Sequence, residues 1–425
     1  MAFVYKLTLA LLIAALPNVA FADTLNAADT AWMMTASALV LFMLLPGLSL
    51  FYAGLVGSKN VLSVLMQCFT IACVMSLLWF AVGYSLAFSG EGWFIGNLDK
   101  AFMRGVTVDS LTGTIPESVF IVFQMTFIMI TPALFVGGFA ERMNFGAMVL
   151  FSILWSLLVY IPICHWVWGG GWLAERGLLD FAGGTVVHVT AGVTAIVAAV
   201  VLGNRRGFPK KPMPPHSLPL TVAGAGMLWF GWFGFNGGSQ LAADGGAGMA
   251  ILVTHLSAAA GSVAWMIIEW VRFRRPSVLG IVTGMVAGLG TITPASGYVG
   301  PMGGILIGLT GGTVCYFATQ FIKSKLKIDD SLDVFPVHGV GGALGTLLAA
   351  VFISTQFQGA GYAEGMTMAS QLNVQLLGVL ATAAYTGVVS YILLKLIAMI
   401  TPLRADPETE QIGLDQIHHG EAGYN

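Results

Sequence analysis

Residues 180–192 read DFAGGTVVHVTAG, and residues 333–345 read DVFPVHGVGGALG. Each places one histidine, His188 or His338, inside a run otherwise apolar enough to cross a bilayer. Polar groups at such depth are costly and usually functional. Two imidazoles in a chain that keeps nearly every charge out of its apolar runs therefore point to a function within the membrane, the alternative being core histidines satisfied by a backbone carbonyl.

Away from these stretches the chain stays apolar. Of 425 residues, 57% are hydrophobic and 9% charged, against about 25% charged in a soluble domain. Mean hydropathy is +0.84, as in a multi-pass protein whose core lies in lipid. The net charge of −2 says nothing about nucleic acid, and with no basic run to suggest it none is expected as a partner. Cys68, Cys73, Cys164 and Cys315 all fall in apolar runs, with no CxxC pair and no disulfide framework. They read as buried small hydrophobes. At the N-terminus, Lys6, the apolar LTLALLIAALPNVA and Ala20-Phe21-Ala22 form a signal peptide with an A-x-A cleavage site. The expectation is a cleaved segment 1–22, a mature chain beginning outside the cytoplasm, and a bacterial inner membrane. A retained first helix is the alternative, but the apolar run is short for a span.

Charge-free stretches cover 30–58, 60–90, 118–140, 143–174, 181–204, 212–243, 245–268, 276–322, 334–363 and 365–394. A span needs about 20 residues. The 276–322 stretch exceeds one helix, and TPASGYVGPMGG (293–304) breaks it with proline and glycine. The expected fold is thus an all-α membrane protein: eleven transmembrane helices within 23–400, N-terminus outside, C-terminus inside, and a cytoplasmic tail over 401–425. Charge placement agrees. The thirteen cations of the cytoplasmic segments are Lys59, Arg142, Arg205, Arg206, Lys210, Lys211, Arg272, Arg274, Arg275, Lys323, Lys325, Lys327 and Arg404, against Lys100, Arg104 and Arg176 outside. That segregation follows the positive-inside rule.

Helices 1–5 and 6–10 look like two halves. LFYAG (50–54) ends the first helix and FGFNGG (233–238) the sixth, and the two histidines occupy corresponding places in the fifth and tenth. Five helices per half give a five-plus-five inverted repeat around a central pore, the arrangement of many transporters. The 54 glycines allow close helix packing and a narrow path.

Three helices bring aromatic groups to the outer side. Phe123 and Phe127 are four residues apart and share a face. Trp168 ends the fourth helix, and Trp232, Phe235 and Ser239 lie on the sixth, with Phe235 one turn below Ser239. Ring faces attract a small cation at about 0.5–2 kcal/mol each, and a serine oxygen accepts its hydrogen bond. Packing or interfacial anchoring is the alternative use of these aromatics.

Two neutral imidazoles can share a hydrogen bond and offer their other nitrogens to a passing amine. The rings of His188 and His338 meet only if their runs start below the membrane surface, with Asp180 and Asp333 as buried or half-buried caps. Asp180 precedes its helix as an N-cap does. Zinc would need three or four ligands, and neither histidine has an i+3 or i+4 partner; no metal or cofactor is expected. His165, His216, His255, His418 and His419 are expected at surfaces or interfaces.

PGLSLFYAGLV (46–56), FVGGFAERM (135–143), HWVWGGGWLA (165–174), DFAGGTVVH (180–188), GWFGFNGGS (231–239), DDSLDVFPVHGVGG (329–342) and GLDQIHHGEAGY (413–424) together resemble the Amt/Mep/Rh ammonium transporter family, in its bacterial Amt form. The resemblance covers nearly all of the mature chain. It implies a homotrimer with a pore in each subunit. It implies an outer ammonium site at Phe123, Phe127, Trp168 and Ser239, supported by Asp180. Below that site it implies a Phe127–Phe235 gate and a conduit lined by His188 and His338. It also implies a cytoplasmic PII-type signal protein that blocks the pore exit, with the tail coupling to it.

Moving an intact ion through an apolar pore is expensive, and losing a proton removes most of that cost. The expected function is therefore ammonium uptake, with methylammonium as analogue: recruitment at the aromatic and serine site, deprotonation, and passage of ammonia past the histidines, with the proton either following or returning. A sensor with little flux is one rival, disfavoured by the roughly 25 residues after the last helix. A membrane enzyme would need a nucleophile or metal beside the histidines, and a potassium channel would need rings of carbonyls or carboxylates.

Overall fold

The computed structural model describes residues 24–424, so the expected signal peptide, 1–22, lies outside the described residues. In chain order the apolar helices are α1 (Ala27–Leu55), α2 (Ser58–Phe88), α3 (Glu117–Phe139), α4 (Phe145–Glu175), α5 (Gly184–Leu202), α6 (Leu218–Gly238), α7 (Gly245–Phe273), α8 (Val278–Ile292), α9 (Pro301–Leu326), α10 (Phe335–Phe352) and α11 (Met368–Ala398). Among the described residues ten are long and apolar enough to cross a membrane, and α8 is shorter. The tail adds α12 (Pro407–Ile412). A two-stranded hairpin, Leu111–Thr112 with Ile115–Pro116, sits in the α2–α3 loop and departs from the all-α expectation.

The 276–322 stretch divides where sequence predicts, but not into two full-length helices. The 15 residues of α8 reach about 22 Å at 1.5 Å per residue, short of a core ~30 Å thick. The cause lies at its C-terminal end, where Pro294 interrupts the helix inside the protein. Thr293, Ala295 and Ser296 are fully buried, and their turn is held by Ala295 N–H to Ile292 O and Tyr298 N–H to Ala295 O.

The N-terminal ends of α5 and α10 are likewise sunk into the bundle. Gly183 and Gly184 before and at the start of α5 are buried, and Pro294 packs against Gly184. α5 and α10 cross where Gly192 faces the backbone of Gly339, a contact with no room for a Cβ. α3 is the most enclosed helix and α11 the least. α1 packs along α6, α7 along α8 and α9, and α5 lies between α3, α10 and α11.

At the tail end of the bundle the helix termini are tied by charge. Arg142 is fully buried just past α3; it donates to the carbonyls of Gly138 (2.9 Å) and Asp329 (2.6 Å) and to Ser331 Oγ (2.6 Å). Bonds of this kind satisfy carbonyls a helix C-terminus leaves open. Burial lowers its pKa to about 10. Arg205, past α5, forks between Asp329 (2.8 Å) and Glu141 (2.5 Å). Burial opposes the Asp329 charge, yet the Arg205 bonds and the Arg205 and Arg142 charges hold its carboxyl below the usual range. The tail closes over this face. Lys59 Nζ donates to the carbonyls of Glu410 (2.7 Å) and Gln411 (2.5 Å), and the Asp415 carboxylate accepts the amides of Leu62 (3.0 Å) and Ser63 (2.7 Å) at the start of α2.

Two expectations are corrected. Cys68, Cys164 and Cys315 are buried, but Cys73 faces outward on α2. His165 is not a surface residue. It is fully buried, with Nδ1 2.9 Å from Ala87 O and Nε2 2.5 Å from Gly92 O, and ties α4 to the end of α2.

Candidate functional site

Asp180 organises the outer half of the site. Its buried carboxylate accepts the amides of Gly183 (2.9 Å), Gly184 (2.5 Å) and Thr185 (2.8 Å) and the hydroxyl of Thr185, closing the N-terminal turn of α5. Burial raises its pKa, against the pull of those bonds. Its carbonyl accepts Trp168 Nε1 (2.9 Å), which fixes the indole. One residue thus sets both the α5 terminus and the vestibule wall.

Phe127, Trp168 and Ser239 line an outer cavity of about 300 Å³. The Trp168 ring meets Phe127 edge-on at 5.6 Å. Ser239 Oγ donates to Phe235 O (2.8 Å), which leaves its lone pairs free to accept. Phe123 stands one layer back; its ring is 5.1 Å from Phe127 but does not line the cavity. Phe127 and Phe235 stack at 4.3 Å and close the cavity floor.

Beyond that floor lies a second cavity, walled by Phe235, Trp232, His188, His338 and aliphatic side chains. Its volume of about 10 Å³ is room for about one water-sized molecule. His188 Nδ1 and His338 Nδ1 are 3.2 Å apart, with both rings buried. Trp232 stacks on His188 at 5.6 Å and is held by Nε1 to Thr293 Oγ1 (2.9 Å). His188 Nε2 is buried with no hydrogen-bond partner. Both histidines sit in widened π-helical turns at the starts of α5 and α10, a feature frequent at functional sites.

A third cavity of about 100 Å³ continues from His338, Phe51 and Tyr52 to Lys323 and Asp333, which pair at 2.7 Å. The cap of α10 is Asp330 and not Asp333: the fully buried Asp330 accepts the amide of Phe335 (2.7 Å), while Asp333 is half-buried beside Lys323. Asp330 lies eight residues before His338, as Asp180 lies eight before His188. That equal spacing was readable in the sequence. Among the described residues no three His, Cys, Asp or Glu side chains gather as metal ligands.

A bundle of apolar helices enclosing an aromatic chamber, a one-molecule waist lined by two imidazoles in hydrogen-bond contact and a third cavity beyond it defines a multi-pass membrane protein. Residues 31–424 match the model of the Ammonium Transporter Family, and the chain belongs to that family. It is 45% identical to an ammonium transporter of Bacillus subtilis over 93% of this chain and 98% of that one. It is 42% identical to ammonium transporter Amt1 of Archaeoglobus fulgidus over 93% and 99%. Among solved structures it resembles a sensor Amt protein (TM-score 0.86, 32% identity, 92% and 98% covered) and Mep2 of Candida albicans (TM-score 0.82, 36% identity, 91% and 88% covered). Its relatives are transporters and not enzymes.

Proposed function

We propose that the chain takes up ammonium across the bacterial cytoplasmic membrane. The observation that carries this is the one-molecule waist with its Nδ1–Nδ1 histidine pair beneath an aromatic chamber. A cation in the outer chamber meets the faces of Trp168 and Phe127 and the lone pairs of Ser239. Below the Phe127–Phe235 stack the walls offer no charge, so the passenger leaves its proton and crosses as ammonia. In the shared hydrogen bond one ring donates and the other accepts; its outer nitrogens then present one acceptor and one donor to the molecule in the waist. The unpartnered Nε2 of His188 is such a nitrogen. A proton carried along the pair makes transport electrogenic; one that returns outward leaves it neutral.

Eleven crossings, N-terminus outside, with a mature domain 23–400 and a cytoplasmic tail 401–425, fit the cation-rich tail face. The matched Asp-to-His spacings and the α5–α10 crossing support the inverted repeat. Assembly as a homotrimer in the lipid bilayer and control by a PII-type protein at the tail face are part of this reading, supported by the resemblance of the motifs and by the ordered tail at that face. A sensing role is the second possibility, favoured by the likeness to a sensor Amt protein. Methylammonium uptake by proteoliposomes, competed by ammonium and by potassium, decides between them: uptake suppressed by ammonium alone supports transport, and ammonium binding without uptake supports sensing.

A further inference from the structure

We propose that Gln124 is a further ligand of the recruited cation and a determinant of its selectivity, building on the assignment of the outer cavity as the recruitment site. Gln124 lies on α3 between Phe123 and Phe127 and lines the outer cavity with Phe127, Trp168 and Ser239. It is only 8% exposed, and its Oε1 is buried without a hydrogen-bond partner. The other buried polar side chains of α3 are satisfied. Glu117 bonds Tyr84 and Lys100, Thr126 donates to Phe123 O, and Thr131 donates to Phe127 O. An unpaired buried amide oxygen is costly; Oε1 is turned into the protein, while the residue itself forms part of the chamber wall.

An amide terminus turns about its last bond to present either oxygen or nitrogen. Turned with oxygen to the chamber, Gln124 accepts one N–H of ammonium while Ser239 accepts another. Both acceptors are neutral, so they hold the cation without the charge that would trap it above an apolar waist. Ammonium has four N–H donors and methylammonium three. With two N–H groups taken by the two acceptors, ammonium keeps two more for the aromatic faces and methylammonium only one, which favours ammonium.

The test uses the full chain, with calorimetric binding of ammonium in detergent and uptake in proteoliposomes. For Gln124→Leu the dissociation constant and half-saturating ammonium concentration rise roughly tenfold, the yield of one hydrogen bond to a charged group. Maximal rate changes by less than about twofold, and the preference for ammonium over methylammonium shrinks. Gln124→Glu, close to isosteric, tightens binding of ammonium and adds inhibition by potassium. Unchanged ammonium affinity in a folded Gln124→Leu protein overturns the proposal. If that variant does not fold, unchanged affinity in Gln124→Glu overturns it. Wild-type protein that binds ammonium without moving it contradicts transport and leaves Gln124 to be judged on binding. Wild-type protein that neither binds nor moves ammonium sinks the recruitment site itself.

Discussion

Asp180 and Asp330 do the same work in the two halves: each stands eight residues before a histidine and caps the helix that presents it. They differ in setting. Burial and the nearby Asp333 raise the Asp330 pKa to about 7, against the pull of the Phe335 and Val334 amides and Lys323. The folded protein then holds a proton that the unfolded chain has lost above about pH 4. Stability is fully present below that value and falls as pH rises toward about 7. Asp330→Asn flattens this part of the profile, measured as melting temperature between acid and neutral pH; a profile with the wild-type slope refutes the assignment. The histidines carry a prediction of their own. Replacing both His188 and His338 by leucine lowers any ammonium-evoked proton-coupled current at least tenfold, about 1.4 kcal/mol of barrier, and an undiminished current rejects their part as a relay. Most of these site residues were legible because polar or aromatic groups stand out at intramembrane positions. Spacing alone points to Asp333, the acidic residue nearer the helix; Asp330 caps instead because a side chain five residues ahead reaches the Phe335 amide only through a backbone turn that spacing rules do not describe. Gln124 is the one amide side chain of an apolar run, but nothing in sequence says which way an amide faces.

At the scale of elements, the decisive contact is α5 against α10. Gly192 lies on the backbone of Gly339, and Gly342 faces the Cβ of His188. Gly192→Val must push the helices apart, at about 1–3 kcal/mol for overpacking. That shift opens the 3.2 Å Nδ1–Nδ1 contact. Uptake falls at least tenfold while the protein still purifies as folded material; full activity contradicts the close crossing. Helix boundaries were mostly readable from charge-free runs and breakers. The length of α8 was not, because hydropathy counts apolar residues without telling lipid from protein as their surroundings, and the turn after Ile292 is buried by protein. The burial of His165 is hidden for a similar reason: its two carbonyl partners, Ala87 at the end of α2 and Gly92 just beyond it, are far away in sequence.

For the whole molecule, most ion pairs are gathered at the tail end and kept out of the waist. Arg205 bridges Asp329 and Glu141 across the ends of α5, α3 and the α9–α10 loop. Arg205→Met strands two largely buried carboxylates and destabilises the protein by about 3–5 kcal/mol, seen as a lowered melting temperature in detergent; an unchanged melt means the network is dispensable. The same separation underlies transport. Ammonium and potassium are close in size and equal in charge, but only ammonium has a proton to lose. Fluxes of the two ions through wild-type proteoliposomes, measured under equal inward gradients, therefore test the loss of charge above the waist most directly. Ammonium flux with no potassium flux is the predicted result; potassium flux comparable to that of ammonium would contradict it.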